Sequence, residues 1–115
     1  MNLTRIQDAP PYFPPHHTDM RCLRLQGKEA GPSEALWLGM SQLLPGGHTS
    51  LEGSQVEKHY VVLEGELTIR SELDGVQSEQ ILGKLDSCRI APGEKRQLFN
   101  HTNLPAMVLL AMPLA

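Results

Sequence analysis

Cysteine and aromatic residues are scarce in this chain, and long apolar runs are missing. Its 115 residues include two cysteines, one tryptophan, two tyrosines and two phenylalanines. Two thiols do not make the disulfide framework of a small secreted domain, so we expect Cys22 and Cys88 to lie in strands as small apolar residues. No segment is long enough to span a bilayer, and the N-terminus lacks the apolar core of a signal peptide. We therefore expect a cytoplasmic protein with no membrane partner.

An excess of positive charge is also missing. There are 10 lysine and arginine residues against 13 acidic ones, a net charge of −3, and the basic residues form no run. This balance argues against nucleic acid as a partner, because binding phosphates requires a basic surface. The chain is 40% hydrophobic and 20% charged, which together with its length is typical of one globular domain.

Proline is concentrated in the first segment, residues 1–19, which holds Pro10, Pro11, Pro14 and Pro15. Because proline fixes φ and lacks a backbone donor, we expect an extended arm, followed by a β-barrel domain over residues 20–115. Two aromatic residues, Tyr12 and Phe13, indicate that the arm docks either on its own barrel or across a dimer. Adjacent His16 and His17 should point to opposite sides, so at most one could face a pocket, and we interpret both as solvated.

The rest of the chain is typical of an all-β protein. Asp74-Gly75 is a strong hairpin signal, and we interpret Pro45-Gly46-Gly47 as a hard turn. Regularly spaced short strands favour a sandwich or a closed barrel. We predict eight strands, over 20–25, 35–44, 56–63, 66–71, 77–82, 87–90, 95–100 and 106–112.

Two segments together resemble the paired motifs of the cupin superfamily. The first, residues 45–65, opens with Pro-Gly and closes with YVVLEGE around Gly65; the second, residues 87–100, contains Gly93 and ends at Asn100. The resemblance covers Ala35 to Met112. It implies a double-stranded β-helix, the jelly-roll barrel of small RmlC-like cupins.

The same resemblance places the family's metal-ligand positions on Glu52, Ser54, Lys58 and Arg96. A divalent metal in a protein needs imidazole or carboxylate donors that converge, and two cations would repel it. We therefore expect no cofactor at the family site. His48 and Glu52 are the fallback candidates for a nonstandard divalent metal site.

Interpreted as charge, these positions predict a binding pocket for a small anionic molecule such as a carboxylate or a sugar acid. Lys58, Arg96 and Glu52 would meet in the mouth of the barrel, with Tyr60 and Asn100 nearby. Arginine offers a planar fork that suits carboxylates, and lysine a point charge. The alternative is that Glu52 pairs with one of the cations in an internal salt bridge that replaces the metal.

Two other functions remain open at this stage. The chain could be a small cupin enzyme of the isomerase, decarboxylase or lyase type, which uses Lys58 and Tyr60 or a nonstandard metal site; no catalytic residue is assigned. It could also be a structural or regulatory scaffold. We expect a homodimer, because Val61 and Leu63 would face outward and need apolar cover, and because small cupins commonly pair through such a face.

Overall fold

The computed structural model describes residues 1–114 and is built almost entirely of β-strands. Short 3-10 turns cover Ile6–Asp8 and Lys28–Ala30, and the described residues include no helix long and apolar enough to cross a membrane. Seven strands lie side by side in the order β7-β6-β9-β3-β10-β5-β8; β2 also pairs with β3, β1 with β2, and β4 with β9. The ten strands within residues 1–114 are β1 (Pro11–Tyr12), β2 (His17–Gln26), β3 (Leu36–Thr49), β4 (Glu52–Gly53), β5 (Lys58–Glu64), β6 (Leu67–Leu73), β7 (Val76–Leu82), β8 (Ser87–Ile90), β9 (Lys95–Phe99) and β10 (Ala106–Pro113).

Alternation along β5 fixes which side chains enter the barrel. Lys58, Tyr60 and Val62 are 7%, 2% and 0% exposed, whereas His59 between them is exposed. This confirms the predicted inward face of β5. Burying a large apolar side chain contributes about 1.5–3 kcal/mol to stability. The core around Tyr60 and Val62 is completed by Leu43, Leu67, Ile69, Ile90, Leu98 and Val108.

The hairpin between β6 and β7 is confirmed. Asp74 and Gly75 have φ values of 52° and 78°, and the register runs from Leu73 opposite Val76 to Leu67 opposite Leu82. Positive φ at both central residues is the signature of a two-residue type I′ turn, which matches the twist of the paired strands.

The predicted turn at Pro45-Gly46-Gly47 is wrong, because β3 continues through it. Residues 44–47 form a bulge in β3 opposite Asp19 of β2, and Gly46 adopts a φ of 81° there. The bulge bends β3, so that its two halves contact different parts of the barrel. Before it, β3 pairs with β2 and β10, and after it His48 pairs with Phe99 of β9.

The arm packs on its own barrel in this structure. Pro11 and Tyr12 pair with Leu23 and Cys22 of β2. Ala9 belongs to a second apolar cluster, on the outside of the barrel, that includes Leu63. The arm therefore supplies part of the cover that the outward side of β5 needs. The first barrel strand, β2, starts at His17, slightly before the expected start of the barrel at residue 20.

Candidate functional site

One mouth of the barrel contains a cavity of about 300 Å³ whose lining includes Glu52, Lys58 and Arg96. These residues come from β4, β5 and β9. Glu52 and Arg96 are directly opposite each other across the β4–β9 pair. The structure thus brings the three predicted charged residues to one place, although they are far apart in sequence.

Lys58 enters the cavity from the first position of β5. Its side chain is largely buried, and Nζ donates a hydrogen bond of 2.9 Å to Ser54 Oγ. Burial lowers the pKa of the Lys58 ammonium below the usual 10.5, and the nearby Arg96 charge lowers it further. The hydrogen-bond partner of the ammonium is a neutral hydroxyl, whereas a carboxylate would have stabilised the charge.

Arg96 is held from behind by two hydroxyl groups. Its Nε donates to the Tyr60 hydroxyl at 2.9 Å, and its Nη1 donates to Thr49 Oγ1 at 3.4 Å. Thr49 is fully buried and also accepts a hydrogen bond from the Leu98 amide at 3.0 Å. These contacts fix the guanidinium and leave its remaining donors available to the cavity.

Glu52 does not neutralise either cation. Within residues 1–114, no salt bridge joins Glu52 to Lys58 or Arg96. Its side chain is 53% exposed, and its carboxylate lies 3.6 Å from His16 Nε2. The internal salt bridge considered as the alternative is therefore not formed.

Tyr60 and Asn100 do not line the cavity. Tyr60 is buried behind Arg96, and burial raises the pKa of its phenol, against a lowering by Arg96. Asn100 is fully buried: its amide donates to the carbonyls of Leu43 and Leu104 at 3.0 and 2.7 Å, and its Oδ1 accepts from Thr102. These contacts occupy its amide with backbone of β3 and of the loop that follows β9.

The side chains at the family's metal positions do not fit a divalent metal. Ser54 is a weak ligand, and the ammonium and guanidinium groups offer no lone pair and carry like charge. The fallback with His48 also fails, because inward-facing Thr49 puts its neighbour on the outside, where the His48 ring stacks on Phe99 at 5.1 Å. Across the described part of the chain, no group of three or more His, Cys, Asp or Glu residues is arranged to hold a metal.

His17 also lines the cavity, and sequence reasoning had placed it in solvent. Its Nδ1 lies 2.7 Å from the Pro15 carbonyl oxygen. Because a carbonyl only accepts, Nδ1 carries the hydrogen, and Nε2 is an acceptor in the neutral ring. Burial lowers the pKa of His17 below 6.5, which favours that neutral form. One sequence pattern could have predicted this position: of two adjacent histidines on an extended chain, one can face inward.

The aromatic part of the lining was not predicted either. Tyr12 reaches the cavity from the arm and meets Trp37 of β3 edge to face, with ring centres 5.7 Å apart. The Arg24 guanidinium lies 3.6 Å over the Tyr12 ring and 4.2 Å from the Trp37 ring. The β2–β3 pairing brings Arg24 to Trp37, and the pairing of the arm with β2, which is a long-range contact, adds Tyr12.

The barrel topology and the position of this cavity define a small cupin-domain protein. A search against profiles of known protein families found no match. At the sequence level, the chain is 42% identical over 112 residues to a Mycobacterium tuberculosis protein named Beta-D-galactosidase Rv1717, covering 97% of this chain and 93% of that protein. The chain belongs to the same family as this mycobacterial protein.

Solved structures agree on the fold. The polyketide cyclase RemF from Streptomyces resistomycificus aligns with a TM-score of 0.84 at 19% identity, covering all of this chain and 80% of that one. An RmlC-like cupin from Shewanella frigidimarina aligns with a TM-score of 0.76 at 14% identity, covering all of this chain and 92% of that one. At these identities the likeness establishes the cupin fold and carries no activity across.

Proposed function

We propose that this cupin binds a small organic anion in the barrel mouth, with Lys58 and Arg96 as the binding groups. The observation that carries the proposal is that two cations line one cavity and neither forms a salt bridge to a carboxylate within the described chain. Buried charges in proteins are normally paired. A ligand carboxylate would supply the missing partner.

The energetics support an anion as the ligand. Lys58 and Arg96 lie close enough for the Arg96 charge to lower the pKa of Lys58, so the two like charges repel each other. A bound carboxylate would remove that repulsion and accept charge-assisted hydrogen bonds, which contribute about 1.5–3 kcal/mol each. Ser54 and neutral His17 would hold further polar atoms of the ligand.

The test is binding of acetate, phosphate and benzoate, measured by titration calorimetry and thermal shift. Lys58→Met and Arg96→Gln should each weaken binding by about tenfold or more, since every 1.4 kcal/mol is tenfold in affinity. Lys84→Met is the matched control, because Lys84 is 63% exposed and lies outside the cavity. Equal binding by all four proteins would contradict the proposal.

A second candidate is hydrolysis of a β-galactoside, favoured by the 42% identity with the mycobacterial protein of that name. Glycoside hydrolases ordinarily use two carboxylates that flank the scissile bond. Among residues 1–114, Glu52 is the only acidic residue that lines this cavity. The test is release of p-nitrophenol from p-nitrophenyl β-D-galactoside by wild type and by Glu52→Gln. Activity in the wild type that is lost in the variant would favour hydrolysis, and no activity in either would remove this candidate.

A further inference from the structure

The cavity is lined by two cations and by a set of apolar side chains, here called the apolar wall, and this combination indicates the class of ligand. We propose that the anion is a monocarboxylate with a compact apolar body, such as an arylacetate, and that it is not a polyhydroxylated acid. This inference rests on the anion-binding function proposed above. It goes further by assigning the part of the ligand that Lys58 and Arg96 do not bind.

The apolar wall is assembled from three parts of the chain. Trp37 comes from β3, Leu110 and Met112 come from β10, and Pro14 comes from the arm. Leucine, methionine and proline side chains have no hydrogen-bond donor. Met112 and Trp37 are register partners across the β10–β3 pair, so they present one continuous surface. A ligand held by Lys58 would therefore contact hydrocarbon in the same cavity.

The aromatic part of this wall is held in place by contacts within the chain. The Tyr12 and Trp37 rings meet at 86°, and the Arg24 guanidinium covers both of them. Arg24 does not line the cavity, and its Nε donates to Glu29 at 2.9 Å, so its charge is already paired. Arg24 therefore braces the rings and does not compete for the anion. A preformed wall loses little side-chain entropy when a ligand binds.

A sugar acid fits this arrangement poorly. Its hydroxyl groups need partners on every side, and a hydroxyl buried against hydrocarbon without a hydrogen bond carries a free-energy cost. Apart from the two cations, few polar side chains line the cavity, among them Ser54, His17 and Glu52. An arylacetate avoids the conflict, because its carboxylate meets the cations and its ring meets Trp37 and Met112.

The test compares ligands that carry the same single negative charge. Phenylacetate, acetate and galactonate are titrated into the wild-type protein by calorimetry at neutral pH. Phenylacetate should bind at least about tenfold more tightly than the other two, in line with the discrimination that apolar pockets achieve. Galactonate binding as tightly as phenylacetate, or all three binding equally, would overturn the ligand class while anion binding stands. No binding by any of them would overturn the anion-binding function itself.

Two methionines on the same strand provide matched variants. Met112 lines the cavity, whereas Met107 packs against the cluster on the outside of the barrel. Met112→Gln should weaken phenylacetate binding by about tenfold and leave acetate binding unchanged, because only the apolar contact is altered. Met107→Gln should change neither. A Met112→Gln protein that folds and keeps wild-type affinity for phenylacetate would contradict the assignment of the apolar wall.

Discussion

Arg96 donates a hydrogen bond from Nε to the hydroxyl of Tyr60 at 2.9 Å, and the two residues lie on strands β9 and β5. The phenol is buried behind the guanidinium and does not line the cavity. Tyr60 therefore acts through Arg96, by holding the planar group in one orientation. A fixed arginine retains more of the energy of its hydrogen bonds to a ligand than a mobile one, since less side-chain entropy is lost.

Tyr60→Phe should weaken anion binding without unfolding the barrel. The variant keeps the ring in the core but removes the acceptor for Arg96 Nε, a neutral hydrogen-bond partner that contributes about 0.5–1.5 kcal/mol. We expect affinity for benzoate to fall about three- to tenfold by calorimetry. Affinity equal to wild type would mean that Tyr60 does not position Arg96.

Anion binding should weaken at alkaline pH because Lys58 loses its proton. Since burial and Arg96 lower the pKa of Lys58 below 10.5, the loss should come at a lower pH than for an exposed lysine. Benzoate affinity measured against pH should fall through that window in the wild type. In Lys58→Arg it should stay level, because a guanidinium keeps its proton there. Parallel profiles for the two proteins would contradict the assignment.

The same pKa shift predicts a pH effect on stability in the absence of ligand. The unfolded chain binds more protons than the folded one between the lowered pKa of Lys58 and 10.5. The contribution of Lys58 to the free energy of unfolding should therefore rise as pH increases through this window. The free energies of unfolding of wild type and Lys58→Met are measured in denaturant at several pH values. As pH rises through the window, wild type should gain stability relative to the variant.

Glu52→Gln should increase affinity for anions. Glu52 lines the cavity and has no salt bridge to Lys58 or Arg96 within the described residues, so its negative charge opposes an incoming carboxylate. Because its side chain is half exposed, the effect is a few tenths to about 1 kcal/mol, or up to about fivefold in affinity. Glu79→Gln, which alters the exposed pair with Arg70, is the control. Weaker binding in Glu52→Gln would assign Glu52 a direct contact with the ligand.

Asn100→Ala should destabilise the fold. The change leaves the buried carbonyl of Leu43 and the carbonyl of Leu104 without the amide donors of Asn100. Buried groups that lose a partner cost about 1–3 kcal/mol each, so we expect a loss of about 3 kcal/mol in the free energy of unfolding. Asn103→Ala in the same loop, at an exposed position, should stay within about 0.5 kcal/mol of wild type. A neutral Asn100→Ala would contradict the structural role.

Most of the barrel could be predicted from the sequence because local patterns encode it. The alternation of side chains along an extended chain predicts which residues of β5 face inward, and Asp74-Gly75 predicts the β6–β7 hairpin. The strands β1 and β4 were not predicted, since two-residue strands carry no periodicity. Glycine and proline favour turns and bulges alike, so the sequence of residues 44–47 predicts a turn where the structure has a bulge. The pairing of β3 with β2 distinguishes the two structures.

The site could be predicted only in part. The family motif placed Glu52, Lys58 and Arg96 by position, and the structure brings them together. His17 reaches the cavity through the pairing of β2 with β3, and Tyr12 through the pairing of the arm with β2. Both are long-range contacts that no local pattern encodes. The homodimer stays a prediction, and Leu63 gives it less support because Ala9 of the arm packs in the same outer cluster.

Anion binding by Lys58 and Arg96 should need no metal. Benzoate is titrated into the protein before and after treatment with a chelator, and both samples are analysed for their elements. We expect the same affinity in both samples and far less than one transition-metal ion per chain. Loss of binding on chelation, with recovery when Mn, Fe, Ni or Zn is returned at one ion per chain, would contradict it.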